Sequence, residues 1–338
     1  MYVAGPCSAE TREQVLLTAG LIQKACGGIP YIYRAGVWKP RTSPDTFQGA
    51  GEEALSWLAE VKQTYGIDVA TEVATPDHVR EALFAGIDYL WIGARTSANP
   101  IAVQAIADTI RKTRRKPKAV LVKNPVSEDA ALWLGNIIRI EKAGVPVLAV
   151  HRGCNHQPCW AMAHAVRLAR PEIPLLLDPS HMSGDAEQIA PLLEKAVELG
   201  YDGAMIEVHA HPDAALSDAK QQITPTAFSH QLSAISHQYD ERPLTQKDRS
   251  AERLELAWLR AEIDELDDQL WDTIARRMDV SQRIGEWKKA HGVTPLQPER
   301  YRQILEQREQ WAVAHGLSPE FAKQLFDNIH AESLRRQE

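Results

Sequence analysis

The chain has 338 residues, enough for one barrel with an appended domain or for two domains. Its formal net charge of -7 leaves no chain-wide basic surface for nucleic acid, so any cationic site has to be local. No apolar run approaches the roughly 18 residues of a membrane-spanning helix, and the N-terminus has no charged leader, so we expect a cytoplasmic protein. The four cysteines are too few for a disulfide scaffold.

Eight short apolar runs rich in Val, Ile and Leu recur along the first two thirds of the chain. They lie at 2–4, 29–33, 67–71, 89–93, 118–122, 145–150, 173–177 and 204–208. Their continuous hydrophobicity predicts strands covered on both faces, and the segments between them have the apolar spacing of helices. The pattern predicts an α/β fold, a parallel (β/α)8 or TIM barrel over residues 1–235, with a doubly wound open sheet as the alternative.

Polar residues follow these runs, at the end of the strands where such a barrel has its active site. The stretch RAGVWKPRTS, from Arg34 to Ser43, places three cations and two hydroxyls after the second run. Taken alone it could be a solvated basic turn. Comparable polar groups follow the other runs as well, and their joint occurrence at one end of eight strands predicts an active site.

Four of these residues have side chains that commonly bind metals. They are Cys7, His181, Glu207 and Asp218. The set mixes soft and hard donors and is too poor in sulfur for a structural zinc site, so it favours a divalent transition metal. Manganese, iron, cobalt or zinc would suit it, with manganese as our expectation. Taken singly, the cysteine could be a small core residue and the histidine an ordinary loop residue.

Five further residues at the same strand ends are cationic. They are Arg34, Lys39, Arg95, Lys123 and Arg152. One carboxylate does not need so much positive charge, so the set predicts a ligand with a phosphate and a carboxylate. Arg41, Thr42 and Ser43 add guanidinium and hydroxyl donors in a loop stiffened by Pro40, and they predict a second phosphate site.

Residues 1 to about 230 resemble the 3-deoxy-D-arabino-heptulosonate 7-phosphate (DAHP) synthases, in particular the short bacterial subtype related to 3-deoxy-octulosonate 8-phosphate synthase. The resemblance rests on the motifs GPCS, RAGVWKPRTS, GAR, KNP, HRG, DPSH, EVH and LSD. The octulosonate relative usually has an Asn between the Lys and the Arg, and the direct Lys39-Pro40-Arg41-Thr42 favours erythrose 4-phosphate over arabinose 5-phosphate. We expect no regulatory segment before the first strand.

The resemblance implies condensation of phosphoenolpyruvate with erythrose 4-phosphate to give DAHP and phosphate. It assigns the four metal-binding side chains as ligands, and it assigns the other residues to the substrates. Phosphoenolpyruvate is held by Arg95, Lys123, Arg152 and the Ala94 backbone, with Arg34 and Lys39 at its reacting end. Arg41 and Thr42, next to Ser43, take the phosphate of erythrose 4-phosphate, and Glu72 lies on the side of the attacking water. Lys39, Glu72 and Lys123 are the expected catalytic residues.

Apolar spacing stops over residues 236–250, a charged segment that predicts a linker. Beyond it, residues 251–338 predict three helices, over 251 to about 290, 299–315 and 319–336. The first has Leu259, Ile263, Leu266, Leu270 and Ile274 at three- and four-residue steps. A helix of forty residues is about 60 Å long, more than a small monomer can cover, so we expect a homodimer through this domain.

Basic residues on the long helix have a useful geometry. Arg277 and Lys288 lie three turns, about 16 Å, apart on one face and could bracket a small dianion. Arg260 lies about 26 Å from Arg277 and reaches the same place only from an antiparallel partner helix. The alternative is a set of solvated cations on an amphipathic helix.

Residues 255–338 are similar to the all-helical chorismate mutases. The motifs are LRxxIDxLD from Leu259, Arg276-Arg277, IGxxK ending at Lys288, PxR ending at Arg300, and SxxxQ from Ser333 to Gln337. The resemblance implies rearrangement of chorismate to prephenate. Its site would comprise Arg260 of a partner with Arg277, Lys288, Arg300, Ser333 and Gln337. The family usually has Asp and Glu where this chain has Gln297 and Tyr301, which affects the contact to the substrate hydroxyl.

We therefore expect a bifunctional enzyme that acts at the first step of the shikimate pathway and at a later branch step. Two alternatives concern the helical domain: isochorismate pyruvate-lyase chemistry on the same fold, or a non-catalytic module for dimerisation and effector binding. We also expect this domain to regulate the synthase, with prephenate or chorismate as the inhibitor. A passive fusion of two enzymes is the alternative to such regulation.

Overall fold

The protein is described by a computed structural model over residues 1–39, 45–240 and 247–337. The predicted residues of the second phosphate site, Arg41, Thr42 and Ser43, lie outside this described part. The chain divides into two compact units, Met1–Glu262 and Ile263–Glu338. No helix in the described part is long and apolar enough to cross a membrane.

The first unit contains a closed barrel of eight parallel strands. The strands are β1 (Tyr2–Gly5), β2 (Ile32–Arg34), β3 (Val69–Glu72), β4 (Tyr89–Ile92), β5 (Ala119–Lys123), β6 (Val147–His151), β7 (Leu175–Leu177) and β8 (Gly203–Glu207). They pair in sequence order, and β8 closes the barrel against β1. Each strand overlaps its predicted apolar run. The predicted (β/α)8 barrel is confirmed, and the open-sheet alternative is excluded by the pairing of β8 with β1.

Helices follow the strands in the alternation expected of this fold. Those of the first unit are α1 (Arg12–Ala25), α2 (Glu53–Tyr65), α3 (Pro76–Phe84), α4 (Ala94–Ser97), α5 (Pro100–Lys112), α6 (Ala130–Glu141), α7 (Trp160–Ala169), α8 (Pro179–Ser183), α9 (Ile189–Glu198) and α10 (Pro225–Asp240). Short 3-10 helices occupy Ala186–Gln188, Pro212–Ala214 and Ala219–Gln221.

The strands bury both of their faces, which explains their continuous apolar sequences. In β6, Leu148 and Val150 join a cluster to which all eight strands contribute, and this cluster fills the barrel. Val147 and Ala149 of the same strand belong instead to the larger cluster that includes the surrounding helices. Because successive side chains of a strand point to opposite faces, this double burial leaves no position for the polar residues of a half-exposed strand. The charged side chains Arg34, Glu72, Lys123 and Glu207 therefore lie at the last positions of their strands.

A long helix, α11 (Lys247–Ala290), contributes residues to both units. Within the first unit, Trp258 is only 2% exposed, and its ring centroid lies 5.3 Å from that of His164 and 5.5 Å from that of Tyr201. Nδ1 of His164 lies 2.7 Å from a carboxylate oxygen of Glu262. These contacts make the residues around Trp258 part of the core of the barrel unit.

The division into compact units falls within α11, between Glu262 and Ile263. The sequence predicts a barrel over 1–235, a linker over 236–250 and a helical domain over 251–338, whereas the first unit extends to Glu262 because Trp258 packs into it. Residues 236–240 end α10 and 247–250 begin α11. The middle of the predicted linker, 241–246, lies outside the described residues.

The second unit contains the remainder of α11 with α12 (Pro298–Ala314) and α13 (Pro319–Arg335), so the three predicted helices are present. Gly316, with a left-handed φ of 74°, lies in the turn between α12 and α13. Ser318 then caps α13 by accepting a hydrogen bond from the N–H of Phe321 over 3.1 Å. This unit holds a face of α13 against the basic face of α11.

Candidate active sites

Three of the predicted metal ligands meet at the C-terminal ends of β1 and β8. The ligand atoms of Cys7, Glu207 and Asp218 all lie within 4.8 Å of one another, and Sγ of Cys7 is 2.9 Å from Oδ2 of Asp218. The fourth predicted ligand, His181, lies beside them, with Nε2 3.6 Å from Oε1 of Glu207. The fold thus brings together the four residues that the sequence singled out from positions up to 211 residues apart.

These four residues, Cys7, His181, Glu207 and Asp218, form an acidic cluster that suits a cation. Burial raises the pKa of the Cys7 thiol to about 12, and the carboxylates of Glu207 and Asp218 add to the effect. A bound divalent cation would offset both causes, because it favours the thiolate and compensates the buried carboxylates. One sulfur, one imidazole nitrogen and two carboxylates form a mixed donor set that fits a divalent transition metal.

Backbone geometry at one ligand is also unusual. Asp218 has φ of 50°, in the left-handed region that residues other than glycine seldom adopt. Such strain persists only where the surrounding structure compensates for it, and it is concentrated at functional sites. Next to Asp218, Gln221 donates from Nε2 to Oε2 of Glu207 over 2.7 Å, so the same loop also fixes a second ligand.

Asp178 is a site residue to which the sequence analysis assigned no role. Its carboxylate lies 3.0 Å from Nδ1 of His181 and 2.5 Å from Nζ of Lys123. Burial opposes its ionisation, but His181 and Lys123 outweigh this effect and hold the pKa of Asp178 well below its usual range. A carboxylate on Nδ1 leaves Nε2 of His181 for the metal side, which is the usual support of a metal-binding histidine. The available sequence signal was its place at the N-cap of α8, three residues before His181.

Arg34 is a buried cation with unused hydrogen-bonding capacity. It is 1% exposed, its Nη2 donates to Oε1 of Glu207 over 3.1 Å, and its guanidinium carbon lies 4.6 Å from the ring centroid of Trp91. Within the described part of the chain, its Nε and Nη1 have no hydrogen-bond partner. Buried guanidinium donors are seldom left unmet, so they indicate an anionic ligand. Lys39 lies nearby and donates from Nζ to the carbonyl of Cys7 over 3.2 Å.

A cavity of about 270 Å³ opens above the acidic cluster. It is lined by Lys39, Glu72, Gly93, Ala94, Arg95, Lys123, Val126, Arg152, His156, His181, Asp218 and Gln221. The lining includes Glu72 and, apart from Arg34, the residues predicted to bind the first substrate, which are Lys39, Ala94, Arg95, Lys123 and Arg152. Val126, His156 and Gln221 had no predicted role.

Two of the lining residues are positioned by specific neighbours. Arg152 follows β6, and its backbone N–H donates to Oδ1 of Asn124 over 2.7 Å, while its Nη2 donates to the carbonyl of His181 over 3.3 Å. Glu72 ends β3 and packs over Gly93, where a Cβ atom would come within 2.0 Å of Oε1 of Glu72. The glycine of the GAR motif therefore makes room for the carboxylate.

In the second unit, the predicted residues of α11 and α13 form two pairs. Nη1 of Arg277 donates to Oγ of Ser333, and Nζ of Lys288 donates to Oε1 of Gln337 over 3.0 Å. The chain just beyond α13 approaches α11 closely at Gly285, where a Cβ atom would lie 2.6 Å from Cα of Gln337. Two cations and two polar side chains therefore converge between α11 and α13.

The other two predicted residues of this site are Arg300 and Arg260. Arg300 lines a cavity of about 500 Å³ together with Arg277, Arg308 and apolar side chains of α12 and α13. Arg260 is exposed and belongs to the first compact unit. At the two positions that differ from the family pattern, Gln297 caps α12 without a side-chain hydrogen bond, and the hydroxyl of Tyr301 donates to Asp327.

The fold and the first cavity are those of a (β/α)8-barrel enzyme with a cationic active site at the C-terminal strand ends. The chain belongs to the DAHP synthetase I family, whose sequence model matches residues 1–244. The model of the chorismate mutase type II family matches residues 259–338. The barrel is thus joined in one chain to a chorismate mutase type domain.

Individual relatives agree with the first match. The chain is 34% identical over 229 residues to the phospho-2-dehydro-3-deoxyheptonate aldolase of Thermotoga maritima, covering 65% of this chain and 64% of that protein. It is 27% identical over 239 residues to the 2-dehydro-3-deoxyphosphooctonate aldolase of Bordetella petrii, covering 65% and 84%. A crystal structure of the Thermotoga maritima enzyme, described as a DAHP synthase, superposes with a TM-score of 0.62 at 29% identity, over 71% of this chain and 69% of that chain.

Proposed function

We propose that this chain is a bifunctional enzyme of the shikimate pathway. The barrel condenses phosphoenolpyruvate with erythrose 4-phosphate to give DAHP and phosphate, and the helical unit rearranges chorismate to prephenate. The observation that carries the first activity is the buried Arg34, whose Nε and Nη1 have no partner within the described residues, beside a cavity with four further cations. Such a cavity requires a ligand with more than one anionic group.

Two groups of barrel residues bind phosphoenolpyruvate. Arg95, Lys123, Arg152 and the backbone of Ala94 bind the molecule, and Arg34 and Lys39 lie at its reacting end. C3 of the enol then bonds to the aldehyde carbon of erythrose 4-phosphate, and the cations stabilise the surrounding anionic groups as C2 becomes electron-poor. Water adds to C2 on the side of Glu72, which can accept its proton, and phosphate leaves by cleavage of the bond from C2 to oxygen.

Cys7, His181, Glu207 and Asp218 would hold a divalent transition metal, for which we propose manganese. Such an ion supplies Lewis-acid polarisation of the aldehyde oxygen. The residues around the ligands fix their orientation before any substrate arrives: Asp178 holds the ring of His181, and Gln221 holds Glu207. Arg41, Thr42 and Ser43 remain the proposed donors for the phosphate of erythrose 4-phosphate.

The synthase proposal is tested by assaying DAHP formation before and after exhaustive chelation, and again after adding single divalent metals. We expect loss on chelation and recovery with manganese. Cys7→Ser should abolish the activity and leave the circular dichroism spectrum unchanged, whereas Cys26→Ser, at another buried cysteine, should retain it. Full activity in the chelated enzyme would contradict the metal site, and an intact chain that makes no DAHP with any metal would contradict the function.

For the mutase, we propose that Arg277 and Lys288, with Arg260 of a second copy, bind the two carboxylates and the ether oxygen of chorismate, and that Arg300, Ser333 and Gln337 complete the site. The rearrangement needs no proton transfer, so catalysis comes from holding the compact conformer and from stabilising charge on the ether oxygen by Lys288 and Gln337. The support is the pairing of Arg277 with Ser333 and of Lys288 with Gln337, and the cavity that Arg300 lines together with Arg277.

We also propose that the mutase site is completed by Arg260 of a second copy. The support is an apolar stripe on α11 that stays open to solvent in a single chain. Leu259, Ile263, Leu266 and Leu270 are 46%, 58%, 62% and 47% exposed. Arg260→Ala and Arg277→Ala should each lack mutase activity, and mixing the two should restore part of it through one site built from intact halves. Mixed dimers without recovery would show that the site is not shared.

A second candidate role for the helical unit is a non-catalytic module for dimerisation and effector binding. The observation in its favour is the hydroxyl of Tyr301, which is engaged by Asp327. The two roles are separated by direct measurement on the intact chain. Conversion of chorismate supports the mutase, whereas binding of prephenate without conversion of chorismate supports the module.

A further inference from the structure

His330 shares a face of α13 with one residue of the proposed chorismate site and lies near another. Ser333 follows it by three residues on the same side of the helix, and Gln337 lies just beyond the C-cap at Arg336. Ser333 is bonded to Arg277, and Gln337 is bonded to Lys288. His330 therefore belongs to the polar face that meets the cations of α11.

The surroundings of His330 favour the neutral form of its ring. Burial lowers its pKa first, and Arg277 and Lys288 lower it further, against the opposing influence of Asp327. A neutral imidazole offers one donor and one acceptor nitrogen. The ring therefore suits an uncharged polar group of the ligand. The anionic groups of the ligand are better bound by the cations of the site.

Nε2 of His330 is enclosed but unpaired. It is shielded from solvent and has no hydrogen-bond partner among residues 1–39, 45–240 and 247–337. Burying a polar nitrogen in this state is unfavourable, and native structures usually supply a partner. A ligand that enters beside Arg277 and Lys288 could provide one.

Tyr301 explains how the ring is held. Its ring centroid is 4.8 Å from that of His330, and Phe326 lies 5.9 Å away on α13. The hydroxyl of Tyr301 is fixed by Asp327, whose other oxygen lies 2.6 Å from Nζ of Lys323. Tyr301 thus turns its hydroxyl to Asp327 and presents its ring to His330.

Chorismate has two carboxylates, an ether oxygen and one hydroxyl group. The cations suit the first three, which leaves the hydroxyl for an uncharged partner. We propose that His330 contacts this hydroxyl through Nε2, with Tyr301 as the positioning residue for its ring. The inference rests on the proposed mutase function and adds to it the residue that recognises the hydroxyl.

The test uses the full chain with three variants. His330→Leu removes the nitrogens at similar volume, His330→Gln keeps a polar group, and His291→Leu changes an exposed histidine near the end of α11 as the matched control. Each is assayed with chorismate and with an analogue in which hydrogen replaces the hydroxyl, and synthase activity reports that the protein is intact. We expect His330→Leu to lower kcat/KM for chorismate about tenfold, the usual effect of one lost hydrogen bond, with partial rescue in His330→Gln and no change in His291→Leu.

The analogue separates recognition from a structural role. If His330 contacts the hydroxyl, the wild-type protein should prefer chorismate to the analogue, and His330→Leu should lose most of that preference. Equal preference in both proteins, or equal kcat/KM for chorismate in both, would overturn the inference while the mutase function stands. If wild-type protein does not convert chorismate, the same comparison is made by calorimetric binding of prephenate and its deoxy analogue, and absence of any binding overturns both proposals.

Discussion

The side chain of Asp178 links the two halves of the barrel site. Both of its oxygens lie within 3.1 Å of Nδ1 of His181, and Oδ2 also accepts from Lys123, so a single carboxylate orients a proposed metal ligand and a proposed phosphoenolpyruvate-binding cation. Supporting carboxylates of this kind usually change metal affinity 10- to 100-fold when they are removed. Asp178 is therefore expected to matter for metal binding although it is not a proposed ligand.

We predict that Asp178→Asn weakens metal binding about 10- to 100-fold, because the amide is a poorer acceptor for the imidazole N–H and no longer carries charge. Titration of the metal-free protein with manganese, followed by calorimetry, measures the change. Asp185→Asn is the matched control, since Asp185 also accepts a backbone N–H at a helix start but lies outside the cavity. Equal affinity in Asp178→Asn and wild-type protein would contradict the orienting role.

A second prediction concerns the space beneath Glu72. Gly93→Ala should displace this carboxylate, since the new Cβ would lie 2.0 Å from its Oε1. We expect kcat/KM of the synthase to fall by about 100-fold, the usual cost of shifting a reacting group by about 1 Å. Gly135→Ala is the control, because its Cβ would meet only the flexible end of Arg139. If both variants keep full activity, Glu72 is not held in a required position.

Helix α11 has an exposed apolar stripe. Its stripe of Leu259, Ile263, Leu266 and Leu270 is apolar and about half exposed, which is the pattern of a helix that pairs with another. A monomer would leave this surface in water. The stripe and the position of Arg260 on the same helix together support the proposed dimer.

We predict that Leu266→Glu dissociates the dimer. Each buried leucine contributes about 2 kcal/mol and a two-fold axis uses it twice, so the dissociation constant should rise about a thousandfold. Analytical ultracentrifugation over a concentration series measures it. Leu168→Glu, which alters a 65% exposed leucine of α7, should leave the assembly unchanged. An unaltered dimer in Leu266→Glu would show that another surface joins the copies.

The strands and the barrel could be predicted because their signal is local. Residues buried on both faces leave a continuous apolar run, and the polar residues after each run mark the active end of the barrel. That is why Cys7 and Asp218 could be paired from sequence despite their separation in the chain. The three C-terminal helices were equally visible from their apolar spacing.

Contacts that depend on two distant surfaces were not predictable. Trp258 lies in a helix whose spacing suits pairing with another helix, and nothing near it in sequence indicates that it packs on Tyr201 and His164. The roles of Asp178 and His330 depend similarly on side chains brought close by folding. A tyrosine at 301 was visible as a departure from the family pattern, but its contact with His330 was not.

For the chain as a whole, the joining of two proposed activities raises the question of regulation. We predict that prephenate inhibits DAHP formation in the intact protein, because a ligand of the helical unit can alter the synthase if it binds two arrangements of the chain unequally. A coupling of about 1 to 3 kcal/mol would change activity 5- to 150-fold. Prephenate is titrated into synthase assays of wild-type protein and of Arg277→Ala.

Arg277→Ala should retain synthase activity and lose the inhibition, while Arg283→Ala, at an exposed arginine of α11, should keep both. No inhibition of wild-type protein would favour a passive fusion. Equal inhibition of wild-type protein and Arg277→Ala would place the effector outside the proposed mutase site.

We further predict that Trp258→Ala destabilises the barrel unit by about 3 to 5 kcal/mol, as expected for a buried tryptophan. Calorimetric unfolding should show a lower transition for this unit. Trp271→Ala makes the same change at a 68% exposed position of the same helix and should leave that transition in place. An unchanged transition in Trp258→Ala would mean that its burial adds little to the barrel.

The packing of Trp258 bears on how the synthase should be produced by itself. A recombinant fragment that stops at residue 244, where the family match ends, would expose the ring faces of Tyr201, Trp160 and His164. Such a fragment is expected to aggregate and precipitate. Its low yield would then be taken, wrongly, as evidence that the synthase needs the mutase domain. A fragment that ends at Glu262 keeps the tryptophan and gives a fair measure of the isolated synthase.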